Sequence, residues 1–391
     1  MITLEEAWEL LFALAHPLPS ETIPVDQAAG RYLAGDLLAR RTQPALDLSA
    51  MDGFAVRGAE PWHIVGETRA GTPFAGSLAV GEAVRISTGA ACPAGTDGIV
   101  IIEDAAVADE VLRASTPEPG RWIRRAGFDF TAGDLLLRCG IQLGAAHLGL
   151  ALAGGHGQIA VARRPRLAIL ECGDELARDP AHCPVEQVPA SNGAMIAAMA
   201  APLSSEQRRI GPLPDRRSAL ASAIAQASDA DVLVTIGGAS VGAHDHVRGA
   251  VEDAGGQLAM WRVAIRPGKP MLMARRGDQI ILGLPGNPNS AFVTAFMFLL
   301  PLLRALQGAL QPAPVTIPLA LSEPVQAGGK RREFRRARLV GGRACPLGER
   351  DSSALSTLAA ADVLIDRPID APPAAAGDLV PCYWLGNGGI A

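Results

Sequence analysis

The sequence predicts an α/β multidomain protein: a helical N-terminal region, an inserted β module, a doubly wound α/β domain and a small C-terminal β domain. Three observations predict it. The chain has 391 residues, 49% hydrophobic and only 19% charged, enough to bury several cores in about two to four domains. Between about Arg41 and Asp134, short apolar runs ("FAVRG", "AVRIST", "GIVIIE", "VLRAS") are separated by Gly, Pro and Asp without helical periodicity, the texture of an all-β module. After "GQIAVARRPRLAIL" short strands alternate with helices, as in a parallel sheet covered on both faces.

In chain order, Thr3 followed by Glu6 forms a capping box, and Leu4, Trp8, Leu11 and Ala15 share one face of a first amphipathic helix. In the α/β part the spacing predicts strands over 166–170, 231–236, 258–265, 271–274 and 279–284. Helices are expected over 193–201, 216–227, 246–254 and 290–307. "LQPAPVTIPLAL" reads as a linker, and the stretch from there to Ala391 returns to short strands and turns.

The net charge of −5 gives no global basic field, which argues against nucleic acid as a partner. The opening "MITLEEAWELL" is acidic where a signal peptide is basic, and the apolar run Ala291 to Leu303 falls short of the roughly 20 residues of a membrane span. A cytoplasmic protein with no membrane partner is expected. Cys92, Cys139, Cys172, Cys183, Cys345 and Cys382 form no C-x-x-C pair, so they read as reduced buried thiols and not as a zinc site. His244 and His246, two apart, point to different sides of a helix and cannot share one metal there.

In a doubly wound sheet, ligands gather beyond the carboxyl ends of the strands. There "ILGLPGNPNSAFVTAF" breaks the chain sharply: a strand ends at Leu284, Pro285 to Pro288 turn, and Ser290 is expected to cap the following helix, whose free N–H groups suit an anion. "LAILECGDEL" adds Asp174 and Glu175, "VLVTIGGASVGAHDHV" adds Gly237, Gly238, Ser240 and Asp245, and "IRPGKP" adds Arg266 and Lys269. Glycines admit a ligand to the backbone, carboxylates hold a hard cation such as Mg²⁺, and the basic side chains neutralise an oxyanion. Together these describe a phosphate-type site.

"SAMDGFAV", "ISTGAACP", "GDEL", "GGASVGAHD", "RPGKP", "GLPGNPNS" and "RREFRRARL" occur in the order seen in molybdopterin molybdenumtransferases, and the chain resembles that family over nearly its whole length. The resemblance implies an N-terminal helical and linker domain over 1–40 with 135–164, an inserted β domain over 41–134, a molybdopterin-binding α/β domain over 165–311 and a C-terminal β domain over 312–391. It implies an elongated homodimer that takes adenylylated molybdopterin and molybdate, cleaves the adenylate with Mg²⁺ present and leaves molybdenum on the dithiolene. Molybdopterin adenylyltransferase and molybdoenzyme or carrier proteins are implied as further partners.

By that resemblance Asp52 matches an active-site aspartate working across the dimer cleft, and Asp129, Asp174, Glu175 and Asp245 match other acidic positions, the last three as metal ligands. Arg266, Lys269 and Ser290 resemble the molybdate-binding surface, joined by Arg331 or Arg332 and by Ser352 or Ser353. Thr88, Gly237, Gly238, Ser240, Pro285, Gly286 and Asn287 complete the implied substrate contacts. The chain departs from the family pattern at Leu48, Phe128, Glu171, Cys172, Ala190 and Arg266. Such drift leaves an alternative, a weakened paralogue that holds molybdopterin as a carrier or scaffold. A related adenylyltransferase is a third reading, but its Gly-Gly-Thr-Gly loop is here Gly237-Gly238-Ala239-Ser240.

Overall fold

The computed structural model describes residues 1–238, 246–348, 351 and 353–389. The first helix, Leu4–Leu14, begins at the expected capping box: the Glu6 N–H donates to Thr3 Oγ1 at 3.2 Å and the Thr3 N–H to Glu6 Oε2 at 2.8 Å. Leu4, Ala7 and Leu11 are its buried face. The chain then pairs with a distant segment. Ser20–Pro24 lies antiparallel to Gln158–Ala162, and Leu37–Leu38 to Leu135–Leu137, around a core that includes Val25, Leu33, Leu143 and Val161.

Between those segments stands a six-stranded sheet in the order Gly98–Ile101, Gly53–Val56, Glu82–Ile86, Trp62–Thr68, Val111–Arg113, Ala106–Ala108. Strand residues alternate between its faces. Phe54, Val56, Ala83 and Val100 enter one cluster with the buried Trp62, while Ala55, Val84 and Ile99 enter another with Leu78.

The α/β domain carries a sheet in the order Glu206–Leu213, Arg166–Cys172, Val232–Ile236, Gln279–Leu284, Leu272–Arg276, Gln257–Trp261. The first four are mutually parallel, Leu272–Arg276 runs antiparallel to them, and Gln257–Trp261 pairs antiparallel with Leu272–Arg276. The strand order reverses at Arg166–Cys172, which places a crevice beyond its carboxyl end and that of Val232–Ile236. At the opposite end Asp231 accepts two hydrogen bonds from Arg163, at 2.9 and 3.0 Å, and one from the Arg166 N–H at 2.7 Å. Burial works to raise the pKa of this carboxyl, but its bonds with Arg163 and Arg166 outweigh burial and hold it at about 2.

Three expectations for this domain need correction. The edge strand Glu206–Leu213 was not foreseen, and the strand expected over 258–265 is two. Gln257–Trp261 ends where Arg262, at φ 75°, turns the chain with its guanidinium 4.1 Å above the Trp261 ring, and Ile265–Arg266 instead pairs in parallel with Arg332 and Glu333. The helix expected from Ser290 starts at Pro288, because proline's missing N–H and fixed φ suit the first helical position. Asn287 therefore sits at the cap, without a side-chain capping bond, and Ser290 lies inside the helix.

That helix continues through a π segment, Ala295–Leu299, into Leu300–Ala305. Pro301 cannot donate to the carbonyl of Met297, four residues back, and its ring crowds that carbonyl. The indole N–H of Trp8 donates to it instead, at 2.7 Å. The run Pro288–Ala305 is 18 residues long and apolar enough to match a membrane span by composition, yet 83% of it is buried inside the protein. It is a core helix.

The C-terminal strands Ile317–Leu321, Arg332–Val340, Arg343–Pro346, Val363–Arg367 and Leu379–Trp384 close into a barrel, because Arg332–Val340 pairs with both Arg343–Pro346 and Val363–Arg367. Ile265–Arg266 adds to Arg332–Val340 from outside, so the "RPGKP" loop leaves the barrel's edge directly. None of the six cysteines is in a disulfide; Cys172 and Cys382 are buried as expected of buried thiols, but Cys139 is exposed and Cys92, Cys183 and Cys345 are half-buried.

Candidate active site

Three loops converge at the carboxyl ends of the parallel strands. The Gly237 N–H donates to Leu284 O at 3.1 Å, and a Cβ on Gly237 would lie 2.5 Å from Cys172 O, so only glycine lets these strand ends approach. Gly286 rests on Gly237, and Asn192 Nδ2–H donates to Gly286 O at 2.6 Å. Gly237, Gly238, Pro285, Gly286 and Asn287 are thus brought together. Asp174 and Glu175 follow in exposed positions; Asp174 Oδ1 accepts the Asp215 N–H at 3.3 Å, and the Glu175 carboxylate folds over Gly173, where a Cβ would sit 2.5 Å from Oε2. Ser240, Asp245, Ser352 and His244 lie outside the described residues.

Glu171, a departure from the family pattern, is only 5% exposed. Its Oε1 accepts the Gly193 N–H at 2.8 Å at the start of the helix Asn192–Ala200, and Oε2 lies 3.5 Å from Arg209. The carboxylate satisfies a helix terminus and is not spare for a metal. No group of three His, Cys, Asp or Glu side chains converges among the described residues. Asp174 and Glu175 supply two hard oxygen donors, which fits Mg²⁺, an ion that takes one or two carboxylates and fills its sphere with water and substrate phosphate.

A cavity of about 700 Å³ opens between the α/β domain and the barrel. Arg266, Lys269, Asn289 and Ser290 line one side; Glu323, Arg331, Glu333, Arg335, Arg336 and Asp351 line the other. Glu333 carries two of the cations, with Arg266 at 3.4 Å and Arg335 at 2.8 Å. Arg336 donates to the carbonyls of Ala354 and Asp351 at 2.9 and 3.0 Å. Among the described residues Lys269 has no ion pair and the Arg331 side chain donates only to Ile265 O, at 3.4 Å. The cavity therefore holds positive charge that its own carboxylates do not neutralise.

Arg331 lines the cavity, whereas Arg332 is drawn away from it by ion pairs with Asp366 and Glu5. Burial works against the Arg332 charge, but Asp366 beside it raises its pKa above the usual range. Arg332 is a clamp between the barrel and the first helix and not a cavity residue. Ser353 does not line the cavity either; its hydroxyl and N–H both donate to Asp351 Oδ1 at 2.7 Å, which orients a carboxylate that does. The residues that sequence reasoning missed here are Asn289, Glu323, Arg335, Arg336 and Asp351.

Asp52 and Thr88 meet in the β module, where the Thr88 N–H donates to Asp52 Oδ1 at 2.6 Å. Asp52 is exposed, and Gly53 after it is required because a Cβ would strike Val100 O at 2.0 Å. Asp129 is not brought to this pair. Ile123–Arg124 runs antiparallel to Leu48–Ser49, and the Asp129 N–H donates to Gln43 O at 3.0 Å, so Asp52 and Asp129 lie toward opposite ends of one ladder. Among the described residues, those lining the cavity fall between 266 and 351, and none belongs to the β module of the same chain.

The chain matches three family models in sequence: the MoeA N-terminal region (domain I and II) over residues 2–155, a probable molybdopterin binding domain over 168–305 and the MoeA C-terminal region (domain IV) over 318–385. A molybdopterin molybdenumtransferase of Haemophilus influenzae is 34% identical over 80% of this chain and 79% of its own length. Molybdopterin molybdenumtransferase 2 of Mycobacterium tuberculosis is 33% identical over 91% and 93%. The crystal structure of the molybdopterin biosynthesis MoeA protein from Pyrococcus horikoshii superposes with a TM-score of 0.81 at 27% identity, covering 98% of each chain.

Proposed function

Because this chain belongs to the molybdopterin molybdenumtransferase family, whose members are transferases of molybdenum cofactor biosynthesis, we propose that it inserts molybdenum from molybdate into adenylylated molybdopterin and releases AMP. The observation that carries this reading is the uncompensated positive charge of Lys269 and Arg331, set beside the buried Ser290 at the junction of two domains. A doubly charged tetrahedral oxyanion needs several fixed donors, and guanidinium, ammonium and hydroxyl groups arrive there from three separate segments. The glycine-lined crevice beyond Gly237 and Gly286 admits a ligand to the backbone. Asp174 and Glu175 would hold Mg²⁺, which supplies charge neutralisation at the phosphate bridge when bound. The chain's own part is to hold oxyanion and adenylylated substrate in register, so that an oxygen of water or molybdate can displace AMP from the phosphate bridge and the two dithiolene sulfurs can replace molybdate oxygens, which leave as water.

Asp52 and Thr88 belong to this reading through a second subunit. We infer a cytoplasmic homodimer in which the β module of one chain closes over the crevice of its partner, since within one chain that module stays off the cavity. The Glu171 bond to Gly193 accounts for one departure structurally, which weakens the carrier reading. The test is to incubate purified protein with adenylylated molybdopterin, Mg²⁺ and molybdate. Molybdate-dependent release of AMP together with dithiolene-bound molybdenum is expected; binding of substrate without either product would leave the protein a carrier.

A further inference from the structure

Glu333 is a carboxylate standing among the cations of the cavity, and its two oxygens hold two of them unequally. Oε2 accepts from Arg335 Nε at 2.9 Å and lies 2.8 Å from Arg335 Nη2, and both side chains are only 14% exposed. Oε1 accepts from Arg266 Nη1 alone, at 3.4 Å, and the Arg266 side chain is 56% exposed. The parallel pairing of Ile265–Arg266 with Arg332 and Glu333 sets these two residues side by side where the α/β domain meets the barrel. Arg335 is therefore a fixed partner of Glu333, whereas Arg266 is held by one long contact, screened by solvent, that costs little to break.

We propose that Glu333 is an internal counterion that the oxyanion displaces: it holds Arg266 in the empty cavity, and an arriving dianion takes Arg266 over while Arg335 stays on Glu333. The inference rests on the oxyanion reading of the cavity and adds the residue that sets its affinity. A guanidinium engages a carboxylate and a tetrahedral oxyanion through the same planar donors, so one contact is exchanged for another and Arg266 contributes little net attraction. The carboxylate left behind faces the bound anion at short range and opposes it. Both effects weaken binding, so the cavity is only loosely occupied by sulfate or phosphate and readily releases the anion it takes.

The experiment is calorimetric titration of the full chain with molybdate and with sulfate at fixed pH and ionic strength, using the wild type, Glu333→Gln, Arg266→Ala, the double variant and Lys269→Ala. The isosteric Glu333→Gln removes the competing charge and should tighten both anions about tenfold, the usual worth of one hydrogen bond to a charged group. In the Arg266→Ala background the same change should gain about threefold or less, from the lost repulsion alone, because the arginine it would release is gone. A residue that only shaped the barrel would weaken binding when replaced, so the sign of the effect separates the two roles. Thermal unfolding shows that each titrated chain is folded. Wild-type crystals soaked in molybdate supply a test without any substitution: Arg266 should have left Glu333 for the anion, with Arg335 still paired. Where Lys269→Ala weakens binding, three results would each overturn the role of Glu333 alone: weaker or unchanged binding in Glu333→Gln, an equal gain with and without Arg266, or an Arg266–Glu333 pair kept beside bound molybdate. Unchanged affinity in Lys269→Ala would overturn the oxyanion cavity with it.

Discussion

Replacing Lys269 by alanine removes a full charge from the cavity and leaves the fold around it intact, since the side chain is exposed and makes no ion pair among the described residues. Among the described residues the lining has five basic side chains, Arg266, Lys269, Arg331, Arg335 and Arg336, against three acidic ones, Glu323, Glu333 and Asp351, a surplus of two positive charges. Glu333 is shared between Arg266 and Arg335, whereas Lys269 and Arg331 are lining cations with no carboxylate partner among the described residues. Loss of one charge-assisted contact costs about 1.5–3 kcal/mol, and solvent screening at an exposed lysine places the effect near the lower end, roughly 1.5–2 kcal/mol. Half-maximal insertion should then need about 10- to 30-fold more molybdate. Excess molybdate should restore most of the rate, because the defect is in holding the oxyanion and not in cleaving the adenylate. Sulfate and tungstate should inhibit the wild type competitively and the variant less. Titrating molybdate against cofactor formation decides it: an unchanged half-maximal concentration would refute the placement of the oxyanion at Lys269.

Other perturbations separate the remaining roles. Asp52→Ala should fold and bind adenylylated molybdopterin but release AMP on the order of 10²-fold more slowly, judging by losses of comparable transition-state electrostatics; an unchanged rate in a quenched AMP assay excludes the role. Mixing Asp52→Ala and Lys269→Ala chains at limiting molybdate should regain about a quarter of wild-type activity, because half the dimers would carry one intact shared site; no recovery after verified subunit exchange contradicts a site built from two chains. Asp231, held at about 2, binds fewer protons folded than unfolded, so its stabilising effect is full above the unfolded value of 3.8 and disappears as pH falls from about 4 to about 2. Asp231→Asn should therefore lower thermal stability at pH 7 by about 1–2 kcal/mol after allowance for solvent screening, and make little difference at pH 2. Glu171→Ala should cost about 1–2 kcal/mol of stability by uncapping Gly193, without moving the Mg²⁺ dependence of turnover; a shifted Mg²⁺ optimum would mark Glu171 as a metal ligand.

Local signals carried much of this structure. The capping box at Thr3 and Glu6 depends on residues three apart and appears with both bonds, and the apolar runs Val232–Ile236 and Gln279–Leu284 become fully buried parallel strands. The glycines and prolines of "RPGKP" and "GLPGNPNS" mark loops that lie at the crevice beyond the strand ends and at the cavity. Sequence failed where a distant partner decides. Glu206–Leu213 is polar because it is an edge strand, and only its parallel partner Arg166–Cys172 makes it a strand at all. Nothing near Arg262 announces a break; the break follows from Ile265–Arg266 joining the barrel. Glu323 and Asp351 face the cavity only because the barrel closes, and the choice of Arg331 over Arg332 depends on the start of a strand that pairs there with Ile265–Arg266 across a domain boundary and with Arg367, more than thirty residues on.

Anomalous X-ray diffraction at the molybdenum absorption edge, from crystals of the full chain soaked in molybdate, tests the central claim most directly. A single strong peak within hydrogen-bonding reach of Lys269, Ser290 and Arg331 is expected, weakened in crystals of Lys269→Ala and displaced by sulfate. A peak elsewhere on the chain, with that cavity empty at saturating molybdate, would contradict the assignment of the cavity as the oxyanion site.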